Sequence, residues 1–148
     1  MPIPELDANG VLPPGLHACT LTEVVERFGG FNVNDRRVRL VRALEAYVAE
    51  IRSTGVASWI VVNGSFVTGK PGPSDIDLIV VLQPGHDLDA QLGPFEYNAV
   101  SRRRVRKRHG FDILVAREGS PELNEYLAFF QQVKQEPDRQ KGVLRVDP

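Results

Sequence analysis

Two apolar, β-branched runs in the middle of the chain limit the folds that it can adopt. They are VASWIVV at residues 56–62 and DIDLIVVL at residues 75–82, and each has the length and branching of a buried strand. FDILVA at residues 111–116 has the same character, and the tail KGVLRVDP at residues 141–148 can form a short terminal strand. The apolar face of a sheet built from such strands must be buried against other elements.

Helical patterns flank the predicted strands. The strongest runs from Asp35 to Thr54, where apolar residues recur at spacings of three and four; they are Val38, Val41, Leu44, Val48 and Ile51. Thr20 and Glu23 are spaced as a capping box at the start of an earlier helix. Residues 95–109 are also predicted to be helical, and Ser120 is placed to cap a last helix.

Interleaved strands and helices predict an α/β (α+β) fold, with a small mixed β-sheet and helices mainly on one face. Residues 1–19, which are rich in proline and glycine, are predicted to be an irregular N-terminal segment. Residues 20–148 are predicted to form a single domain, which is the usual number for a chain of this length. Residues 83–94 are predicted to be mainly loop.

Acidic residues stand at the heads of two of the predicted strands. Asp75 and Asp77 open one of them, and Asp112 lies near the start of the next. Aspartate is a poor strand residue, and on a strand residues i and i+2 project from the same face. At about 5 Å and an effective dielectric near 20, two carboxylates repel by roughly 3 kcal/mol. Either that face lies in open water, or a cation sits between the carboxylates.

A glycine-serine pair precedes the first two aspartates. Gly64 and Ser65 follow an apolar run directly, and a glycine there lets a phosphate approach the backbone. Ser65 can offer its hydroxyl and its amide to that phosphate, and Lys70 in the following loop can reach the same group. Three carboxylates beside such a turn match the needs of phosphoryl transfer, which uses oxygen-ligated Mg²⁺ or Mn²⁺ ions.

The order of these residues resembles the nucleotidyltransferase superfamily related to DNA polymerase β. Gly64-Ser65, nine intervening residues, Asp75-Ile76-Asp77 and a later Asp112 carry the resemblance, which covers roughly residues 35–116. The opening LPPGLHACTLTEVVERFG is similar to the start of small bacterial nucleotidyltransferase-like proteins. In size the chain is similar to minimal nucleotidyltransferases, which often belong to toxin–antitoxin pairs, although these commonly have one more residue between the serine and the first aspartate.

The resemblance implies roles for the motif residues. Gly64, Ser65 and Lys70 would bind the nucleotide. Asp75 and Asp77 would bind two metal ions, and Asp112 would complete the site of the metal that activates the acceptor. The implied reaction moves a nucleoside monophosphate, most plausibly AMP, from a nucleoside triphosphate to a hydroxyl of a protein or RNA acceptor.

Other interpretations of the same features stay open. The chain can be a non-catalytic module that holds a nucleotide or neutralises a toxin partner, or a toxin that adds nucleotides to tRNA ends. The aspartates can lie on a solvated strand face beside an ordinary tight turn, and Lys70 can be a solvated loop residue. Trp59 is expected in the core rather than stacked on a base, and His109 is expected to be structural or solvated.

A basic run, RRRVRKR at residues 102–108, has six basic side chains in seven positions. Clustered Arg and Lys bind phosphates, so the run can bind an RNA acceptor or an acidic protein, or it can be a solvated helix face. Because the run directly precedes the strand with Asp112, we expect it near the mouth of the site.

Bulk composition excludes some classes of protein. The formal net charge is −1, which argues against a general nucleic-acid binder. Cys19 is the single cysteine, so an intramolecular disulfide is excluded. The N-terminal residues lack the charged start and apolar stretch of a signal peptide, and no apolar run has the length of a membrane span. We therefore expect a cytoplasmic protein without a membrane partner, and a homo-oligomer is compatible with its small size.

Overall fold

The computed structural model describes residues 3–29, 35–70, 73, 75–83, 99–133 and 136–148. In these residues the strands are β1 (Gly15–Cys19), β2 (Ala57–Asn63), β3 (Asp77–Leu82), β4 (Asp112–Arg117), β5 (Gln132–Val133), β6 (Glu136–Gln140) and β7 (Gly142–Val146). The α-helices are α1 (Leu21–Val24), α2 (Asp35–Thr54), α3 (Arg102–His109) and α4 (Pro121–Phe130). A π-helical turn (Val25–Gly29) extends α1, and a 3₁₀ turn (Ser65–Val67) follows β2.

Five of these strands form a mixed sheet in the order β1-β7-β2-β3-β4. β1 pairs with β7 and β3 pairs with β4 in parallel, whereas β2 is antiparallel to both of its neighbours, β7 and β3. β5 and β6 form a separate antiparallel pair that the sequence pattern did not predict. The α+β class and the mixed sheet are therefore as expected.

Both faces of the sheet are covered, but unequally. The larger apolar cluster packs α1, the π-helical turn, α2 and α3 on one face, and it includes Val24, Phe28, Leu44, Ile51 and Val105. The smaller cluster packs α4 on the other face against Trp59, Val61, Ile79 and Val81. The described helices thus lie mainly on one face, as predicted.

Local signals account for the helix ends. The capping box is present, because the Thr20 side chain accepts from the Glu23 amide and the Glu23 carboxylate accepts from the Thr20 amide. Helix α2 has the predicted bounds and stops before Gly55, whose φ of 69° favours glycine. Ser120 caps α4 by accepting from the Leu123 amide. The described part of the predicted helix 95–109 contains α3, capped by Ser101.

Two predictions about the strands are corrected. The predicted irregular segment 1–19 contains β1, because the tail strand β7 gives Gly15–Cys19 a partner that local composition does not reveal. β3 begins at Asp77 rather than at residue 75, so Asp75 precedes the strand. The predicted loop at residues 84–94 lies outside the described residues.

No helix in the described residues is long and apolar enough to cross a membrane.

Candidate functional site

The polar residues of interest lie at one end of three neighbouring strands. β2 ends at Asn63, and β3 and β4 begin at Asp77 and Asp112. The register pairs Asn63 with Asp77 and Asp77 with Asp112, so the three residues form one row across the sheet. Paired residues project from the same face, and neighbouring strands lie about 4.8 Å apart. The structure therefore brings Asp77 and Asp112 together.

Asp75 is held by the turn that follows β2. Its Oδ1 accepts hydrogen bonds from the Ser65 amide at 2.8 Å and from the Ser65 hydroxyl at 2.5 Å. The Asp75 carbonyl accepts from the Phe66 amide at 3.1 Å. Because Asp75 precedes β3, the expected i, i+2 alignment of Asp75 and Asp77 on one strand is wrong. Asp75 instead shares a hydrogen-bonded turn with Ser65.

Gly64 is required by close packing of this turn. Its φ is 96°, and a Cβ at this position would lie 2.8 Å from the Asp75 carbonyl oxygen and 3.0 Å from the Ile76 Cα. Few residues other than glycine adopt such a φ, and the neighbouring backbone leaves no room for a side chain. The crossing of residues 64 and 75–76 therefore accounts for the glycine without a bound phosphate.

Asp112 contacts the basic run on α3. The Arg106 guanidinium donates to the Asp112 carboxylate at 3.0 Å. The two side chains are 72% and 55% exposed, so the pair contributes at most about 1 kcal/mol to stability. Arg106 of the basic run therefore lies beside Asp112, and the placement of the whole run near the mouth of a nucleotide site stays a prediction.

The rest of α3 is strongly basic. A groove of about 300 Å³ is lined by Ser101, Arg103, Arg104 and Lys107. Arg108 instead turns to α2, where it donates to Glu50 at 2.7 Å. The Arg106–Asp112 contact puts positive charge next to the end of the sheet that carries the aspartates.

Arg37 is a buried residue that the motif analysis did not identify. Its side chain is fully buried, and its guanidinium donates to the carbonyls of Phe28, Phe66, Thr68 and Lys70 at distances of 2.7–2.9 Å. Burial lowers the pKa of Arg37 below its ordinary value. This single side chain fixes the loop after Ser65 to helix α2. The signal was available, because residues 37, 41, 44, 48 and 51 form one helical stripe, which places Arg37 on the apolar face.

Lys70 lies at the end of the loop that Arg37 holds. Its carbonyl accepts from Arg37, its amide donates to the Thr68 hydroxyl at 3.2 Å, and the residue is exposed. A cleft of about 460 Å³ runs between residues 8–11 and residues 68–70. The nucleotide role of Lys70 stays a prediction.

The structural interpretations of Trp59 and His109 are confirmed. Trp59 is 5% exposed in the smaller apolar cluster, and the Arg145 guanidinium lies 4.3 Å from its ring centroid. His109 packs against Tyr47 and Phe111, and its Nε2 lies 2.8 Å from Glu50 Oε2.

Tyr47 donates to the Ala99 carbonyl. Burial, and to a smaller extent the negative charge of Glu50, raises the pKa of Tyr47 well above 10.

The donor chemistry of the site fits a hard cation, because carboxylate oxygens are the ligands that Mg²⁺ and Mn²⁺ prefer. Within the described parts of the chain, however, no group of three or more His, Cys, Asp or Glu side chains is arranged to hold a metal ion. Asp75 is bonded to Ser65 and Asp112 to Arg106. Three-carboxylate ligation would require these contacts to be exchanged.

These elements define an α+β domain with two acidic residues at the starts of parallel neighbouring strands and a third bonded to a glycine-serine turn. The chain belongs to a family of unknown function, DUF6932, which matches residues 4–147. The match extends over β1 and β7 as well as the central motif. Comparison with curated proteins gave no match, and comparison with solved structures gave none.

Proposed function

We propose that the protein is a metal-dependent nucleotidyltransferase that moves AMP from ATP to a hydroxyl of a macromolecular acceptor. One observation carries this proposal: Ser65, Asp75, Asp77 and Asp112 are joined by a hydrogen-bonded turn and by strand register at one end of the sheet. The proposal also rests on the resemblance of these residues to the polymerase β-type motif.

In this reaction the acceptor oxygen attacks the α-phosphorus of the triphosphate. The bond from the α-phosphorus to the oxygen bridging to the β-phosphorus breaks, pyrophosphate leaves, and the acceptor proton passes to solvent. The Ser65 amide and hydroxyl would bind a phosphate oxygen after exchanging their bonds to Asp75. Arg37 keeps the 66–70 backbone in place for this exchange, because it binds three carbonyls of that loop.

Asp75, Asp77 and Asp112 would hold Mg²⁺ or Mn²⁺. Such ions, when bound, neutralise the triphosphate and lower the pKa of the attacking hydroxyl. Release of Asp75 from Ser65 and of Asp112 from Arg106 would make both carboxylates available as ligands. Arg106 would then be positioned to contact the phosphates of an RNA acceptor.

The acceptor is proposed to be a protein or an RNA end. The basic side chains of α3 support an RNA acceptor, whereas similarity in size to minimal nucleotidyltransferases supports a protein acceptor in a toxin–antitoxin pair. The site of action is proposed to be the cytoplasm, and a second copy of the chain can complete the acceptor surface.

A non-catalytic module is the second candidate. The specific observation in its favour is that Asp75 and Asp112 are occupied by Ser65 and Arg106. Such a protein would hold a nucleotide or neutralise a toxin without turning over the triphosphate.

Incubation with each α-labelled triphosphate, Mg²⁺ and cell extract tests the proposal. Label should pass from ATP to a macromolecule, and Asp77→Asn should abolish the transfer. Asp138→Asn, an exposed change on β6, is the control. Nucleotide binding without transfer of label under any of these conditions would favour the non-catalytic module.

A further inference from the structure

Asn63 extends the acidic pair into a row of three oxygen-bearing side chains. It is the register partner of Asp77, which is in turn the partner of Asp112. The next row inward is Val61, Ile79 and Leu114, all of which pack in the smaller apolar cluster. Because side chains two residues apart on a strand share a face, the row of Asn63, Asp77 and Asp112 lies on the α4 side of the sheet.

The Asn63 side chain is only half satisfied. The residue is 5% exposed, and its Nδ2 donates to the Phe130 carbonyl at 3.2 Å. Its Oδ1 is buried and has no hydrogen-bond partner among the described residues. A buried acceptor left in this state costs about 1–3 kcal/mol. An unpaired acceptor beside a carboxylate therefore points to a ligand that supplies positive charge or a donor.

The field around this oxygen favours a cation. Asp77 and Asp112 contribute two carboxylates to the same row. Phe130, the partner of the Asn63 amide, is the last residue of α4, and a helix C-terminus carries partial negative charge. The negative charge of the Asp112 carboxylate is paired with the exposed guanidinium of Arg106.

We propose that Asn63 Oδ1 is a ligand of a divalent cation that Asp77 and Asp112 also bind. Amide carbonyl oxygens are ordinary ligands for hard cations, and two carboxylates with one neutral oxygen balance a double positive charge. The inference rests on the proposed function for the presence of a cation. It goes beyond that function because it adds a residue outside the aspartate set and gives the buried oxygen a partner.

Calorimetric titration of the full chain with Mn²⁺ alone tests the proposal. Asn63→Leu removes the oxygen at similar volume and should weaken Mn²⁺ binding about tenfold or more. Asn124→Leu makes the same change at an exposed position of α4 and should leave the affinity unchanged. Asp77→Asn should abolish binding. Asn63→Asp keeps the shape of the side chain and should tighten binding severalfold, which preserves the test if the leucine variant does not fold.

Wild-type affinity in both folded Asn63 variants would overturn the inference, and so would a wild-type chain that does not bind Mn²⁺. The proposed function is judged separately by transfer of label. Affinity that depends on Asn63 without any labelled acceptor would retain the cation site and reject the transferase. A labelled acceptor with unchanged Mn²⁺ affinity in the Asn63 variants would do the reverse.

Discussion

At residue 64 both the backbone conformation and the packing require glycine. Gly64→Ala would place a side chain at φ 96° and within 2.8 Å of the Asp75 carbonyl oxygen. We expect a loss of about 3 kcal/mol in the free energy of unfolding, from left-handed strain together with displacement of the neighbouring backbone. Urea denaturation measures the loss.

Gly110→Ala is the reference for a glycine with positive φ and free space around it, although its ψ of 13° differs from the 177° of Gly64. Gly110 has a φ of 82°, but a Cβ there would have no atom within 4 Å. This variant should lose only the conformational cost of about 1 kcal/mol. Equal losses at positions 64 and 110 would show that the crossing with residues 75–76 does not constrain Gly64.

Arg37 is the second residue whose replacement should be costly. Arg37→Met keeps much of the apolar stem but removes the donors to the carbonyls of Phe28 and residues 66–70. We expect a loss of about 3 kcal/mol or more, because buried carbonyls lose charged partners. Arg39→Met, an exposed change on the same helix, should be nearly neutral when measured by the same denaturation. Similar stabilities for the two variants would contradict the role of Arg37 as a buried clamp.

The sequence predicted the positions of some site residues correctly and those of others incorrectly. It placed Asp77 and Asp112 at the heads of two strands, because an acid at the head of an apolar run is a local signal, and the structure shows that these strands are neighbours. It placed Asp75 on the strand because the same run includes it, whereas Asp75 is bonded to Ser65 and β3 begins two residues later, at Asp77. The burial of Asn63, whose amide nitrogen donates to Phe130 and whose oxygen is unpaired among the described residues, depends on tertiary packing that no local pattern reports.

On the scale of elements, α3 is the one whose chemistry can be tested most directly. If an RNA acceptor binds α3 through about four phosphates, the logarithm of its affinity should fall with the logarithm of salt at a slope near −3. Replacing Arg102, Arg103, Arg104 and Arg106 with Ala should flatten that slope without changing triphosphate binding. Fluorescence anisotropy with a labelled single-stranded RNA measures it.

A matched set of four arginines on α2 gives the control. Arg36, Arg39, Arg42 and Arg52 are exposed, and their replacement with Ala changes the net charge by the same amount. The RNA interpretation requires the α2 set to retain the slope that the α3 set loses. If both sets behave alike, or if label passes to a protein in the α3 variant, the basic run is only a solvated face.

Helix α2 also carries a group that makes stability depend on pH. Tyr47 has a raised pKa because it is buried and lies near Glu50. Above pH 10 the unfolded chain releases the phenolic proton while the folded protein retains it, so stability falls as the pH rises. Tyr47→Phe removes the hydrogen bond to Ala99 and should lower the free energy of unfolding by about 1 kcal/mol at pH 7. Between pH 9 and 11 the free energy of unfolding of this variant should fall by less than that of the wild type.

Tyr126→Phe on α4 is the control for this comparison, and urea denaturation at each pH is the measurement. Cys19 adds alkaline sensitivity of its own, because burial raises its pKa from 9.0 to about 12. An unchanged alkaline loss in Tyr47→Phe would show that the tyrosine does not contribute to it.

The elements themselves were predicted best where their signals are local. Helix α2, the Thr20 capping box and the Ser120 cap follow from spacing and capping residues. β1 was missed because its pairing depends on a strand more than a hundred residues away. The β5–β6 pair was missed because Glu136–Gln140 has none of the apolar, β-branched character of a strand.

For the molecule as a whole, β7 decides whether the sheet is continuous. It lies between β1 and β2, and Val143, Leu144 and Val146 are fully buried. Burial of each such side chain stabilises by about 1.5–3 kcal/mol, so the strand accounts for much of a typical stability of about 5–15 kcal/mol. A chain ending at Lys141 should therefore fail to fold, whereas a chain ending at Val146 should keep its circular dichroism and melting transition. Cooperative melting of the shorter chain would show that β7 is dispensable.

The position of β7 also has a consequence for synthesis in the cell. Gly15 pairs with Gly142, and β2 pairs with β7 at Arg145. A ribosome must therefore translate nearly all of the described chain before β7 can join β1 to β2 in one sheet. Until then β1 and one edge of β2 lack their partner and are open to pairing with other nascent chains. Chaperones that bind the nascent chain would therefore encounter a sheet that lacks β7. A fragment lacking β7, supplied with the β7 peptide in trans, would offer a direct assay for completion of the fold.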